Sequence, residues 1–142
     1  MLSRPLEQVS KTGHGSRRHS ILIVDDDQAL ADVLSIHLSR QGFAATVADS
    51  GQMARALVRA DKPDLVLLDL RLPDIDGYDL CQQFVDDEET CEIPIIILSG
   101  MEQPDVLRRS RAAGCRYFVH KPYDPNVLLT LIQQAIEESQ QE

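Results

Sequence analysis

The chain reads as short apolar runs that alternate with amphipathic stretches. Runs that look like strands fall at 21–25, 43–48, 64–69, 94–99 and 116–120. Most are apolar without a break, the pattern of strands buried on both faces. Between them the spacing turns helical. Leu30, Val33, Leu34 and Leu38 recur at i, i+3, i+4 and i+8 and lead to Gly42, a suitable helix stop.

Four more helices follow from the same spacing. Asp49 and Ser50 suit the start of a second, 51–60, which ends before Pro63. A third over about 77–86 buries Leu80, Cys81 and Phe84. Pro104 suits the first position of a fourth, ending near Gly114. Leu128, Leu131, Ile132, Ala135 and Ile136 stripe a fifth from about 125 to 138. Five strand–helix units predict an α/β fold, a doubly wound five-stranded parallel sheet with right-handed crossovers and helices on both faces. The expected strand order is 2-1-3-4-5, which puts strands 1 and 3 at a switch point, where ligands of such sheets bind.

Composition adds bounds. The 142 residues amount to one ordinary domain, and 43% hydrophobic content supports a core. The net charge of −9 is unevenly spread. Arg4, Lys11, Arg17 and Arg18 against Glu7 make the first twenty residues about +3, leaving about −12 for the rest. Residues 1–19 are polar and aperiodic and predict a disordered arm; 20–138 form the domain and 139–142 a polar tail. An acidic body argues against direct nucleic-acid binding. Cys81, Cys91 and Cys115 have no paired spacing, which fits a reducing cytoplasm. No apolar run approaches 18 residues and none resembles a secretory signal, so no membrane role is expected.

Four polar points stand at the ends of greasy runs: Asp25-Asp26 after ILIV, Asp69 after LVLL, Ser99 after IPIIIL, and Lys121 after YFVH. Gathered at one sheet edge, three carboxylates, a hydroxyl and an amine suit a divalent cation and a phosphoryl group. Mg²⁺ prefers oxygen ligands and keeps several waters. A carboxylate such as Asp69 can attack phosphorus and form an acyl phosphate, while Lys121 and Ser99 meet phosphoryl oxygens. Asp27 is expected to cap the first helix, Asp74 and Asp76-Gly77 to make turns, and His120 to pack in its strand.

The strings ILIVDDD, DLVLLDLRLPDIDG, IPIIILSG and AAGCRYFVHKPY, with their mutual spacing, resemble the receiver domain of two-component response regulators. The likeness covers about 20–138 and points to a chemotaxis-type, single-domain form with a flavodoxin-like sheet. It implies that Asp69 is the phosphoacceptor. Asp25, Asp26, Asp69 and the backbone carbonyl of Arg71 would hold Mg²⁺. Ser99 and Lys121 would contact the phosphoryl group, with a cis bond at Lys121-Pro122. A sensor histidine kinase or phosphotransfer protein would be the donor. Ser99 and Phe118 would form the switch, Phe118 standing where many relatives carry Tyr and so offering no hydroxyl.

By the same resemblance, helix 4, strand 5 and helix 5 form the output face, carrying Arg108, Arg109, Arg111, Arg116 and Tyr123. Val127 and Leu129, off the helix-5 stripe, point to a contact there with a downstream protein target, an effector domain or a second copy in a homodimer. The chain would store a phosphoryl group and lose it slowly, rather than process a substrate. Both a stand-alone receiver and a piece of a larger regulator fit. The alternative is a haloacid-dehalogenase-like phosphatase with Asp25 as nucleophile and Asp27 two residues on. That alternative leaves Asp69 without a role.

Overall fold

A computed structural model describes residues 18–141. The predicted arm falls almost wholly on residues 1–17, outside the described residues. Five strands, β1 (Ser20–Val24), β2 (Ala44–Ala48), β3 (Leu65–Asp69), β4 (Ile95–Ser99) and β5 (Tyr117–His120), alternate with five helices. These are α1 (Gln28–Arg40), α2 (Gly51–Asp61), α3 (Gly77–Asp86), α4 (Val106–Ala112) and α5 (Pro125–Gln140). All strand pairs are parallel, in the order β2-β1-β3-β4-β5. The expected topology is the observed one.

Alternation along each strand divides the core, as a period of two requires. Leu22, Val24, Val66, Leu68, Ile95 and Ile97 face α2, α3 and α4. Ile21, Ile23, Leu65, Leu67, Ile96 and Leu98 face α1 and α5. Continuous apolar strands are thus filled from both sides.

Helix starts follow cap chemistry. Asp27 Oδ1 accepts from the Leu30 amide at 3.2 Å, Ser50 Oγ from Met53 at 3.1 Å and Asp76 Oδ1 from Tyr78 at 2.8 Å. Gly42 follows α1 with φ +97°, a conformation that favours glycine. α4 departs from expectation: it begins at Val106, two residues past Pro104, and its N-cap Asp105 makes no side-chain cap bond. Asp105 pairs instead with Arg108. α5 continues to Gln140, two residues beyond its expected end.

Two parts of the α1 stripe are not core. Leu34 and Leu38 are buried, with Ala31, but Leu30 and Val33 are 56% and 66% exposed. His120 is exposed rather than packed.

Candidate functional site

Parallel strands bring their C-terminal ends to one edge, and the four polar points meet there. Asp25 follows β1 and stays joined to β2, its amide donating to the Ala48 carbonyl at 3.0 Å. Asp69 ends β3 and Ser99 ends β4. Lys121 follows β5, its amide donating to the Ser99 carbonyl at 2.8 Å, and the Lys121-Pro122 bond is cis.

The side chains form one cluster. Lys121 Nζ donates to Asp69 Oδ2 at 2.9 Å and lies 3.5 Å from Asp25 Oδ2. The other Asp69 oxygen accepts from the Arg71 amide at 3.0 Å. Asp25 Oδ1 accepts from the Asp27 amide at 2.9 Å. Ser99 is buried, and its Oγ accepts from the Met101 amide at 3.0 Å. Asp26 and Arg71 are exposed at the rim.

Charge in this cluster is unbalanced. Burial pushes the Asp25 carboxyl above its ordinary range; the Asp27 amide pulls it back, Asp69 pushes it up and Lys121 pulls it down. Burial works against the Lys121 ammonium, but the hydrogen bond and charge of Asp69, then Asp25, outweigh it and hold the amine above its usual value. Burial thus sets the Asp25 shift, and the two carboxylates set that of the single ammonium between them.

The donor chemistry suits a hard divalent cation, because Asp25, Asp26, Asp69 and the Arg71 carbonyl present only oxygen. Among the described residues, no three acidic, imidazole or thiol side chains enclose a ready metal cage. The Lys121 ammonium itself takes the place between Asp25 and Asp69.

β5 carries Phe118 toward the α2–α3–α4 side and Tyr117 toward the α1–α5 side, as alternation requires. Tyr123 does not join the expected output face. It packs on the α1–α5 side and lines a cavity of about 580 Å³ with Leu30, Val33, Leu128 and Leu129. Asp25 and Lys121 stand at the rim of this cavity. Arg109 lies over the Tyr78 ring, 4.2 Å from its centroid. Cys81 is buried, which pushes its thiol up to about 12, and Cys91 is exposed. Cys81 is therefore not an activated thiolate.

The response regulator receiver domain model matches residues 21–133. The chain belongs to the response regulator receiver family. Among curated relatives, the DNA-binding dual master transcriptional regulator RpaA of Synechocystis is 35% identical, over 80% of this chain and 47% of that protein. The DNA-binding response regulator MtrA of Mycolicibacterium smegmatis is 34% identical, over 88% and 54%. This receiver chain spans about half the length of the curated relatives it matches. A putative response regulator from Chloroflexus aurantiacus superposes with a TM-score of 0.81 at 30% identity, covering 85% of this chain and 99% of that one. A CheY-like receiver from Methanospirillum hungatei gives 0.82 at 26%, covering 88% and 98%.

The receiver family works by phosphorylation-dependent signalling, and that is this chain's function class. The phosphatase alternative finds no support, and Asp27, its required second acid, is occupied as the α1 cap.

Proposed function

We propose that Asp69 accepts a phosphoryl group from a phosphohistidine on a sensor kinase or phosphotransfer protein. The observation that carries this is the Asp69 carboxylate at a strand end, hydrogen-bonded to the Lys121 ammonium and the Arg71 amide. Bound Mg²⁺, held by Asp25, Asp26, Asp69 and the Arg71 carbonyl, would neutralise phosphoryl charge. A carboxylate oxygen of Asp69 bonds to phosphorus as the donor's P–N bond breaks, and the imidazole leaves with the electron pair. The Arg71 amide holds one Asp69 oxygen and leaves Oδ2 toward Lys121, whose ammonium then pairs with a phosphoryl oxygen. Loss of the group by slow self-hydrolysis returns the resting state.

The switch is a change of packing. Ser99 Oγ accepts from Met101, so its own proton is available to a phosphoryl oxygen. A hydroxyl drawn toward Asp69 unloads space in the core cluster that Phe118 shares with Met101 and the α4 residue Val106. Phosphorylation thereby shifts the population of two packings around α4.

The exposed α1 residues Leu30 and Val33 receive the donor protein. They share a cavity with Asp25 and Lys121, so a partner seated there brings its histidine to Asp69. α4, β5 and α5 present Leu107, Arg108, Arg111, Arg116 and Val127 to a downstream protein target, an effector domain or a second copy. RpaA and MtrA are DNA-binding regulators; the acidic charge of this chain keeps its own proposed contacts to proteins. No described helix is long and apolar enough to cross a membrane, and we place the protein in the cytoplasm with its kinase.

The direct test is incubation with acetyl phosphate, with Mg²⁺ or with a chelator. A label that needs Mg²⁺ and is removed by hydroxylamine, as an acyl phosphate is, supports the reading. A chelator-resistant, hydroxylamine-stable label rejects it.

A further inference from the structure

The segment between Asp69 and α3 carries Arg71, so its placement matters to the cluster. Its inner side is tied at both ends. The Gly77 amide donates to the Leu70 carbonyl at 3.1 Å, and Arg71 and Asp76 form a bridge. Leu72 and Ile75 pack against the core cluster shared by α2, α3 and α4.

The outer side is tied by Asp74, which reaches to another helix. Its Oδ1 accepts from the Gly51 amide at 2.8 Å and its Oδ2 from Gln52 at 2.9 Å, the first two amides of α2. Those two amides hold the Asp74 carboxyl below its usual range. α2 already has its own cap in Ser50. The fit is close: a Cβ at Gly51 would collide with Ile75 Cγ2. A helix that is already capped by a hydroxyl receives a carboxylate as well, from a loop 23 residues away in sequence.

We propose that Asp74 is a positioning residue for the cation site. By clamping the β3–α3 loop to the start of α2, it fixes the Arg71 carbonyl and so sets the affinity of the acidic cluster for Mg²⁺. This rests on the cation reading above. Remote partners that orient metal ligands alter affinity by about tenfold or more when removed.

The test is calorimetric titration of Mg²⁺ into the full chain, for wild type, Asp74→Ala, Asp74→Asn and Ser50→Ala, each with its melting midpoint. Asp74→Ala is expected to weaken Mg²⁺ binding about tenfold. Asp74→Asn keeps an amide oxygen and should fall between. Ser50→Ala removes the helix's own cap and should lower the midpoint by about 4 °C with affinity unchanged. Unchanged affinity in Asp74→Ala, or the same weakening in Ser50→Ala, overturns the proposal. Absence of Mg²⁺ binding in wild type overturns the cation reading itself, and this inference with it.

Discussion

Lys121 Nζ lies 2.9 Å from Asp69 Oδ2, so in the resting fold an ammonium sits where a phosphoryl group's counter-charge is needed. It is 3.5 Å from Asp25 as well. In the proposed reaction the lysine has two duties: it neutralises the acids beforehand and the phosphoryl oxygens afterwards.

Lys121→Ala separates these duties. Without the ammonium the two carboxylates lack a shared counter-ion, so Mg²⁺ should raise the melting midpoint more than in wild type. Labelling by acetyl phosphate should fall about tenfold or more. Thermal unfolding with and without Mg²⁺, beside a labelling time course, reads both. A smaller Mg²⁺ response would show that lysine and metal do not compete.

Asp25 costs stability in the resting fold. Its pKa is raised above 3.8, chiefly by burial, so the folded chain holds that proton more tightly than the unfolded one. The associated stability is present below 3.8 and is lost as pH rises through the raised value. Asp25→Asn removes that loss and should stabilise the metal-free protein at pH 7. Urea midpoints across the acid range should fall less steeply toward neutrality in the variant.

Leu30 and Val33 separate protein-borne donors from small ones. The double variant Leu30→Ser, Val33→Ser removes exposed apolar surface and should cost little stability. Phosphotransfer from a phosphohistidine protein should slow about tenfold, while acetyl phosphate labelling stays at the wild-type rate. Equal slowing with both donors would place the effect in the chemistry.

Gly77 reverses the usual sign of a helical glycine substitution. Alanine at a compatible helical position normally stabilises. Here its Cβ would lie 2.5 Å from Leu70 Cα. Gly77→Ala should therefore destabilise by roughly 2–3 kcal/mol, read as a lower urea midpoint.

Much of this was legible in the chain because parallel strands announce themselves. The uninterrupted ILIV, LVLL and IIIL runs require helices on both faces, and the five units then place Asp25, Asp69, Ser99 and Lys121 at one edge. Surface packing was less legible. Apolar periodicity in α1 put Leu30 and Val33 on one stripe with Leu34 and Leu38, yet spacing alone does not say whether a neighbouring helix covers them. Tyr123 was misplaced because the turn after Lys121-Pro122 sets its side, and periodicity carries no turn geometry. The α4 start failed because Pro104 marks where a helix is permitted, not where it begins. Asp74 was read as turn chemistry, and its bonds to α2 depend on contacts distant in sequence.

The central claim is that Asp69 is the acceptor. Intact mass of the full chain after incubation with Mg²⁺ and acetyl phosphate tests it directly, beside Asp69→Asn. The account predicts one added phosphoryl group in wild type and none in the variant. A stable label of equal yield in Asp69→Asn would contradict it.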